Sequence, residues 1–198
     1  MISCYGLSYL GGDRKARVTS RFETVGVSLS WCDPIPPDDP RCSNLLEPRA
    51  ASCMYGHLGM IRRFLDEGSD FGVFCEDDVF LRRDFALRLP EAVDLYVKHD
   101  VSVMLLGYLL DYQLPPGLHC VWHDLWGTQM YLLGRDAALK VLELFSEPSI
   151  VTGPFSADWT ITKIPGARAL SPMLAVEEGG HGYQQRCRDA QYNPDLHF

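Results

Sequence analysis

The sequence predicts a layered α/β fold, with helices flanking a mostly parallel central sheet, in a single domain over residues 1–198. Three observations support this prediction. A chain of 198 residues with 46% hydrophobic side chains can build one substantial core without needing a second domain. Two compact apolar runs, at 71–75 and 101–106, are too short for helices and are typical of buried strands. Helical segments alternate with such runs, which is the pattern of a parallel sheet.

The first half of the chain contains two predicted strands and two predicted helices. An apolar strand over 2–7 stops at Gly11-Gly12, a helix starts at Asp13, and an alternating strand covers 27–31. Residues 34–48 are rich in Pro and Asp and predict a loop, either a lid or a plain surface loop. The clearest helix follows at 50–65, where apolar residues recur at steps of three and four to form one stripe: Ala50, Cys53, Met54, His57, Leu58, Ile61 and Leu65.

In the second half, the buried strand at 71–75 leads through a crossover helix around 91–97 to the strand at 101–106. A further strand is predicted at 130–133 and a helix at 136–145. We therefore expect the strands to lie side by side with helices on both faces of the sheet.

Composition and charge exclude several classes of protein. A net charge of −8, from 18 basic and 26 acidic side chains, argues against a nucleic-acid-binding surface, although one or two arginines can still bind a phosphate-bearing ligand. No apolar run approaches the roughly 20 residues of a membrane span, and the first residues lack the pattern of a signal peptide. Seven widely spaced cysteines without a Cys-x-x-Cys pair favour reduced thiols over disulfides or structural zinc, so we expect a cytoplasmic protein.

The acidic triplet Glu76-Asp77-Asp78 directly follows the most apolar strand of the chain. In open α/β sheets, ligands bind beyond the carboxyl ends of strands. Three adjacent carboxylates repel each other unless a cation neutralises them, and oxygen ligands suit Mg²⁺ or Mn²⁺, which also share phosphate oxygens. The triplet therefore predicts a metal-bridged diphosphate site, and a solvated turn is the alternative. Strand alternation pairs Glu76 with Asp78 and directs Asp77 sideways to brace the loop.

Short motifs in order along almost the whole chain resemble glycosyltransferase family 25, which includes lipooligosaccharide and collagen galactosyltransferases. The chain resembles the family in its opening strand and basic turn, its Cys-x-x-Ser-His helix motif, its Glu-Asp-Asp element with the following Asp-Phe, and its later strand, helix and Pro-containing segments. The matching segments here are Tyr5-Gly6-Leu7-Ser8, Asp13 to Arg17, Cys53 to His57, Glu76-Asp77-Asp78, Asp84-Phe85, Gly127 to Leu133, Ala137-Ala138, Ala157-Asp158 and Leu170-Ser171-Pro172.

The resemblance implies a GT-A type fold and a metal-dependent glycosyltransferase. Such an enzyme moves a hexose-type sugar from a UDP-sugar, with Mn²⁺ or Mg²⁺, to a hydroxyl of a glycan or glycoprotein acceptor, and inversion is the expected stereochemistry. Viral capsid glycosyltransferase domains of comparable length are a second related class. Three features depart from the family pattern, namely Gly56 in place of serine, the acidic Pro-rich insert at 34–40 and the tail from 187 to 198.

The sequence assigns donor-side roles to residues around the triplet. Asp78 is the first choice as metal ligand, Glu76 is a second ligand or acts through water or the ribose, and His181 is a candidate late ligand. Leu7, Ser8 and Asp77 belong to the nucleotide site by resemblance. Arg14 and Arg17 follow the first strand and are expected beside the phosphates or base, with an exposed helix face as the alternative.

On the acceptor side, Asp158 is the candidate general base that deprotonates the acceptor hydroxyl, and a helix N-cap is its alternative role. Trp159 could stack on a sugar ring, and the cluster Trp122, His123 and Trp126 could form a sugar-binding wall or a hydrophobic edge. His57 on the apolar stripe is expected to be a core histidine bonded to backbone. Two other functions remain open: a metal-dependent phosphohydrolase and a non-catalytic nucleotide-sugar-binding module.

Overall fold

A computed structural model describes residues 1–9, 11–122, 125–146, 148 and 154–198. Within them the chain forms nine strands and seven α-helices. The strands are β1 Ile2–Leu7, β2 Leu29–Cys32, β3 Phe71–Glu76, β4 Val79–Leu81, β5 Met104–Leu109, β6 Gly117–Cys120, β7 Trp126–Gly134, β8 Arg168–Ser171 and β9 Ala175–Glu177. The helices are α1 Gly12–Thr24, α2 Pro40–Ser43, α3 Pro48–Glu67, α4 Phe85–Lys98, α5 Arg135–Phe145, α6 Ala157–Thr160 and α7 Gly182–Gln191, and a 3₁₀ helix covers Ile161–Lys163.

Seven strands form the central sheet in the order β2-β1-β3-β7-β5-β8-β6. Strands β1, β2 and β3 are parallel to one another, and so are β5 and β8, whereas β7 is antiparallel to both β3 and β5. Strand β6 is antiparallel to β8. Five of the seven strands therefore point the same way, and the predicted α/β class with a mostly parallel sheet is confirmed.

The two faces of the sheet are covered by different helices. Tyr5, Phe74 and Tyr131 pack with residues of α3 and α5 on one face. Their chain neighbours, such as Cys4 and Val73, pack with residues of α1 and α4 on the other. Because successive strand residues point to opposite faces, the continuous apolar runs in the sequence supply both layers of core.

The boundaries of α3 follow from its end residues. Pro48 occupies the first turn, where its missing N–H is not needed, and Gly68 ends the helix in the left-handed conformation at φ 78°. The strand predicted at 101–106 instead begins at Met104, because Val101 donates its backbone N–H to the last turn of α4 and Ser102 donates to Gly166.

Several elements were not predicted. The expected loop at 34–48 contains α2, whose N-cap Asp39 accepts a hydrogen bond from the backbone of Arg41. Strands β4 and β9 form a separate antiparallel pair, and α7 occupies the tail. No helix in the described parts of the chain has the length and apolar character required to traverse a bilayer. That residues 1–198 make up a whole glycosyltransferase domain stays a prediction.

Candidate functional site

The acidic triplet lies where β1 and β3 end together at the edge of the sheet. Leu7 pairs with Glu76 at the last rung of the parallel β1–β3 ladder. Strand β7 runs the other way, so its early residues Thr128 and Gln129 lie beside the same edge, next to the Cys75–Met130 pair. The carboxyl ends of the parallel strands and the start of β7 thus converge at one edge of the sheet, the place where ligands of α/β sheets bind.

Asp77 braces the turn after β1. Its side chain is buried and accepts a hydrogen bond from the hydroxyl of Ser8, while the other carboxylate oxygen lies 3.4 Å from Nε of Arg14. The Ser8 hydroxyl in turn accepts the backbone N–H of Gly11 at 3.0 Å. These contacts fix the loop that leads into α1.

The carboxylate of Asp78 is only partly neutralised by its neighbours. One of its oxygens lies 2.7 Å from the guanidinium of Arg14, and its side chain is 20% exposed. Burial, followed by the negative charges of Glu76 and Glu177, raises the pKa of Asp78 to about 8 despite Arg14. A single arginine is therefore too little positive charge for this carboxylate.

Glu76 sits between a helix and a strand. Its Oε1 lies 3.5 Å from Nε2 of His57 on α3 and 3.1 Å from the hydroxyl of Thr128 on β7. Burial acts to raise the pKa of Glu76, but the nearby His57, Thr128 and Arg14 together outweigh it and the net shift is downward. His57 is fully buried as expected, but it bonds the side-chain hydroxyl of Tyr131 at 3.0 Å rather than backbone.

Asp158 joins the cluster from the opposite side. It lies in the first turn of α6, with Oδ1 3.2 Å from the Thr128 hydroxyl that also faces Glu76. A hydroxyl has one proton, so Thr128 donates to one of the two carboxylates at a time. Burial and then the charge of Glu76 raise the pKa of Asp158. The alternative role as N-cap is wrong, because Ser156 caps α6 by accepting the backbone N–H of Trp159.

Glu177 is a site residue that the sequence interpretation missed. It is buried at the end of β9 and accepts a hydrogen bond of 2.7 Å from Gln129. Burial raises its pKa, and the charges of Glu76 and Asp158 add to the effect. The sequence places Glu177 in a Glu-Glu-Gly-Gly segment that resembles a flexible loop, and only the pairing of β9 with β4 brings it to the triplet.

Other predicted site residues lie at the margin of the cluster. The side chain of Leu7 is 1% exposed in the core, so only its backbone could meet a nucleotide. Arg17, half-exposed on α1, is ion-paired with Glu178 at 3.0 Å. His181 is the exposed residue preceding α7. The structure thus brings Ser8, Arg14 and the acids together, whereas Arg17 is paired with Glu178.

Two tryptophans flank the aspartate on α6. The rings of Trp126 and Trp159 lie 5.6 Å apart at 31° to each other, and the ammonium of Lys163 lies 5.2 Å from the Trp126 ring centre. Both tryptophans remain partly exposed. They make an aromatic surface next to Asp158, whereas His123 lies outside the described residues.

The cluster fits a divalent cation on two grounds. Among the described residues, three buried ligand atoms at this edge have no hydrogen-bond partner: His57 Nε2, Asp78 Oδ1 and Gln129 Oε1. Five carboxylates, those of the triplet with Asp158 and Glu177, share the edge with the guanidinium of Arg14. An excess of oxygen ligands with unsatisfied atoms suits Mg²⁺ or Mn²⁺. The expectation that a dication alone holds the acids together is too narrow, because Arg14 and His57 already contribute.

Comparison with known proteins identifies the fold of the chain but does not assign it to a family. No protein-family model matches the chain, and no curated protein sequence matches it significantly, so membership in glycosyltransferase family 25 stays a prediction. Among solved structures, A197 from STIV shares the fold with a TM-score of 0.53 at 16% identity, over 89% of this chain and 85% of that one. A glycosyltransferase involved in the glycosylation of the major capsid of PBCV-1 has a TM-score of 0.54 at 13% identity, over 95% of this chain and 98% of that one. The chain therefore has the fold of that glycosyltransferase.

Proposed function

We propose that this protein is a metal-dependent glycosyltransferase that moves a hexose-type sugar from a UDP-sugar to a hydroxyl of a glycan or glycoprotein acceptor, with inversion. The observation that carries the proposal is the under-neutralised acid cluster at the carboxyl ends of β1 and β3, with an unpartnered buried oxygen on Asp78. The fold shared with the PBCV-1 glycosyltransferase supports the same conclusion.

In this proposal Asp78 and Glu76 hold Mn²⁺ or Mg²⁺, and His181 is a further candidate ligand. When bound, the ion would supply positive charge to the diphosphate leaving group. Asp77 keeps the β1 turn in place through Ser8, so that the backbone around Leu7 and Ser8 borders the nucleotide. Once a cation shares the charge of Asp78, the guanidinium of Arg14 becomes available to the diphosphate, where charge accumulates during transfer.

Asp158 is the proposed general base. Burial and the charge of Glu76 raise its pKa, which makes it a stronger base than an exposed aspartate. Its carboxylate and that of Glu76 both face the hydroxyl of Thr128. The partly exposed Trp126 and Trp159 beside it offer apolar ring faces on which an acceptor sugar could stack. The acceptor hydroxyl would then lie between the aromatic surface and Asp158.

Calorimetric titration of UDP with and without Mn²⁺ tests the donor site. We expect binding to require Mn²⁺, and we expect Asp78→Asn to weaken it by about 100-fold or more, since even residues behind a metal ligand contribute 10- to 100-fold to affinity. Asp66→Asn, which changes an exposed aspartate at the end of α3, is the matched control and should bind as the wild type does. Equal affinity for Asp78→Asn and wild type would remove the site assignment.

Product analysis separates the proposal from its alternatives. A nucleotide-sugar panel, screened first by thermal shift, identifies the donor because a bound ligand stabilises the folded state. Incubation with that donor and candidate glycans should yield glycoside together with UDP. Release of sugar 1-phosphate and UMP irrespective of acceptor would support a phosphohydrolase, and binding without turnover would support a non-catalytic module.

A further inference from the structure

A second group of ligand atoms adjoins the acid cluster on its α3 side. The sulfur of Cys53, an imidazole nitrogen of His57 and a carboxylate oxygen of Glu76 all lie within 4.8 Å of one another. Cys53 and His57 are four residues apart on α3, so their side chains share one face of the helix. Glu76 ends the strand that this face covers.

His57 directs an unpartnered nitrogen into this group. The residue is fully buried, and its Nε2 has no hydrogen-bond partner among the described residues, although Glu76 Oε1 is 3.5 Å away. That separation is long for a hydrogen bond but close to the roughly 3.4 Å between a nitrogen and an oxygen that occupy two corners of a tetrahedral zinc site. A shared cation would satisfy both atoms with little movement.

The other ring nitrogen of His57, Nδ1, already has a hydrogen-bond partner. Nδ1 of His57 lies 3.0 Å from the hydroxyl of the fully buried Tyr131. Metal-binding histidines are commonly oriented by a hydrogen bond at the nitrogen that does not bind the metal. When Nδ1 carries the proton and donates to Tyr131, the lone pair of Nε2 faces the Glu76 carboxylate, an arrangement that a cation stabilises.

We propose that Cys53, His57 and Glu76 form a site for a transition-metal dication of the zinc type, a second ion beside the Mg²⁺ or Mn²⁺ proposed at Asp78, with Glu76 common to both sites. Sulfur and imidazole ligands favour zinc over the hard ions that oxygen clusters select. Three protein ligands leave a fourth position for water. The Glu76 side chain is 31% exposed, which gives the ion a path from solvent. Binding displaces the proton of the Cys53 thiol, because the thiolate is the ligand.

Glu76 also has a part in the proposed glycosyl transfer, but Cys53 and His57 have none, so this inference can be tested independently of that function. Cobalt is the probe, because Co²⁺ occupies zinc sites and a cobalt–thiolate bond absorbs in the near ultraviolet. The full chain, reduced and freed of metal with a chelator, is titrated with Co²⁺. We expect a charge-transfer band that saturates at one equivalent and disappears when Zn²⁺ is added.

Matched variants locate the site. Cys53→Ser should abolish the band, whereas Cys120→Ser, which changes an exposed cysteine on β6, should keep it. Tyr131→Phe should retain the band but lower cobalt affinity about 10- to 100-fold, the usual effect of removing a hydrogen bond behind a metal-binding histidine. Asp78→Asn should retain the band while it loses Mn²⁺-dependent UDP binding, which separates failure of this inference from failure of the proposed function.

A wild-type protein without the band at several equivalents of Co²⁺ would overturn the site, and so would a Cys53→Ser protein that keeps the band. Near-ultraviolet circular dichroism must show that Cys53→Ser is folded. His57→Gln is the second variant, since it keeps the sulfur but removes the imidazole. It should lower cobalt affinity more than 10-fold, and unchanged affinity would also contradict the proposal.

Discussion

Two adjacent glutamates at the end of β9 have opposite electrostatic surroundings. Glu178 turns toward α1, where it accepts hydrogen bonds from Arg17 and Arg21. Burial acts to raise its pKa, but the two arginines outweigh burial and the net shift is downward. Glu177 turns toward β7, where Gln129 donates a hydrogen bond to it, and its pKa is raised. Glu177 is the last residue of β9 and Glu178 the first residue after it, and their side chains have different partners.

The difference in surrounding charge separates carboxylates that stabilise the fold from carboxylates that are suited to bind a ligand. Glu178 is matched by positive charge within the chain, so its ion pairs fasten α1 to β9. Glu177, Asp78 and Asp158 share a desolvated edge with too little positive charge, and their ionised forms are unfavourable. Folded proteins retain such arrangements mainly at functional sites, because a structural role would be better served by pairing.

The largest expected effect tests whether Asp158, one of the under-neutralised carboxylates, takes part in catalysis. Asp158→Asn should lower the rate of glycosyl transfer by about 10²- to 10⁴-fold, the contribution typical of a general base. Donor affinity should change little, because the amide has the same shape and Asp158 belongs to the acceptor side of the proposed site. Steady-state kinetics of glycoside formation, with separate titration of UDP in the presence of Mn²⁺, measures both quantities.

Asp136→Asn is the matched control for Asp158→Asn. Asp136 also lies in the first turn of a helix, α5, but it is exposed. Its replacement should leave the rate unchanged. If Asp158→Asn transfers sugar at close to the wild-type rate, the base lies elsewhere in the cluster, and Glu177 would be the next residue to change.

The fold was predictable where the chain's own pattern determines it. The apolar runs at 2–7 and 71–75 and the apolar stripe on α3 are local signals, and each became a buried element. The direction of β7 was not predictable, since an apolar strand is compatible with either orientation until its neighbours are known. The short β4–β9 pair was missed because three-residue strands carry almost no periodic signal.

The site was predictable only in its local part. The acidic triplet stands out because it follows a buried strand, but its partners Thr128, Gln129 and Glu177 arrive through long-range pairing of β7 and β9. The glycine at 56, where the family has serine, also has a tertiary cause. A Cβ atom there would lie 2.5 Å from Cδ2 of Leu7, so α3 approaches β1 more closely than a serine would allow.

A smaller effect, on stability, follows from the raised pKa values. In the metal-free protein Asp78 has a pKa of about 8, against roughly 4 for an unfolded aspartate. Between these values the folded chain holds a proton that the unfolded chain has lost, so the free energy of unfolding falls as pH rises from about 4 to 8. Asp78→Asn removes this contribution of Asp78 to the pH dependence of stability, because an amide does not titrate. Its melting temperature relative to wild type should therefore increase by about 5 °C or more between pH 5 and pH 8.

Thermal unfolding in the presence of a chelator, at several pH values, measures that difference. Comparison with wild type cancels the titration of groups that both proteins share. Asp66→Asn serves again as control and should give a constant offset across the range. An equally constant offset for Asp78→Asn would show that Asp78 ionises freely in the folded chain, and the contrast with Glu178 would then disappear.

The smallest expected effect concerns Glu178, the glutamate whose charge is neutralised by two arginines. Glu178→Gln should lower the free energy of unfolding at pH 7 by about 1 to 2 kcal/mol, a value between those typical of exposed and of buried ion pairs. An intermediate value is expected because Glu178 and Arg21 are largely buried while Arg17 is half-exposed. The loss should vanish in acid, since a carboxylate with a lowered pKa contributes stability that disappears as pH falls through that pKa. Urea unfolding should show a lower midpoint with an unchanged slope. Glu143→Gln, which changes an exposed glutamate on α5, should leave the midpoint where it is in the wild type.

Glu178→Gln and Asp78→Asn are therefore expected to shift stability in opposite directions at pH 8. If both stabilised the chain, the two arginines would not compensate for the burial of Glu178, and the whole end of β9 would belong to the under-neutralised group.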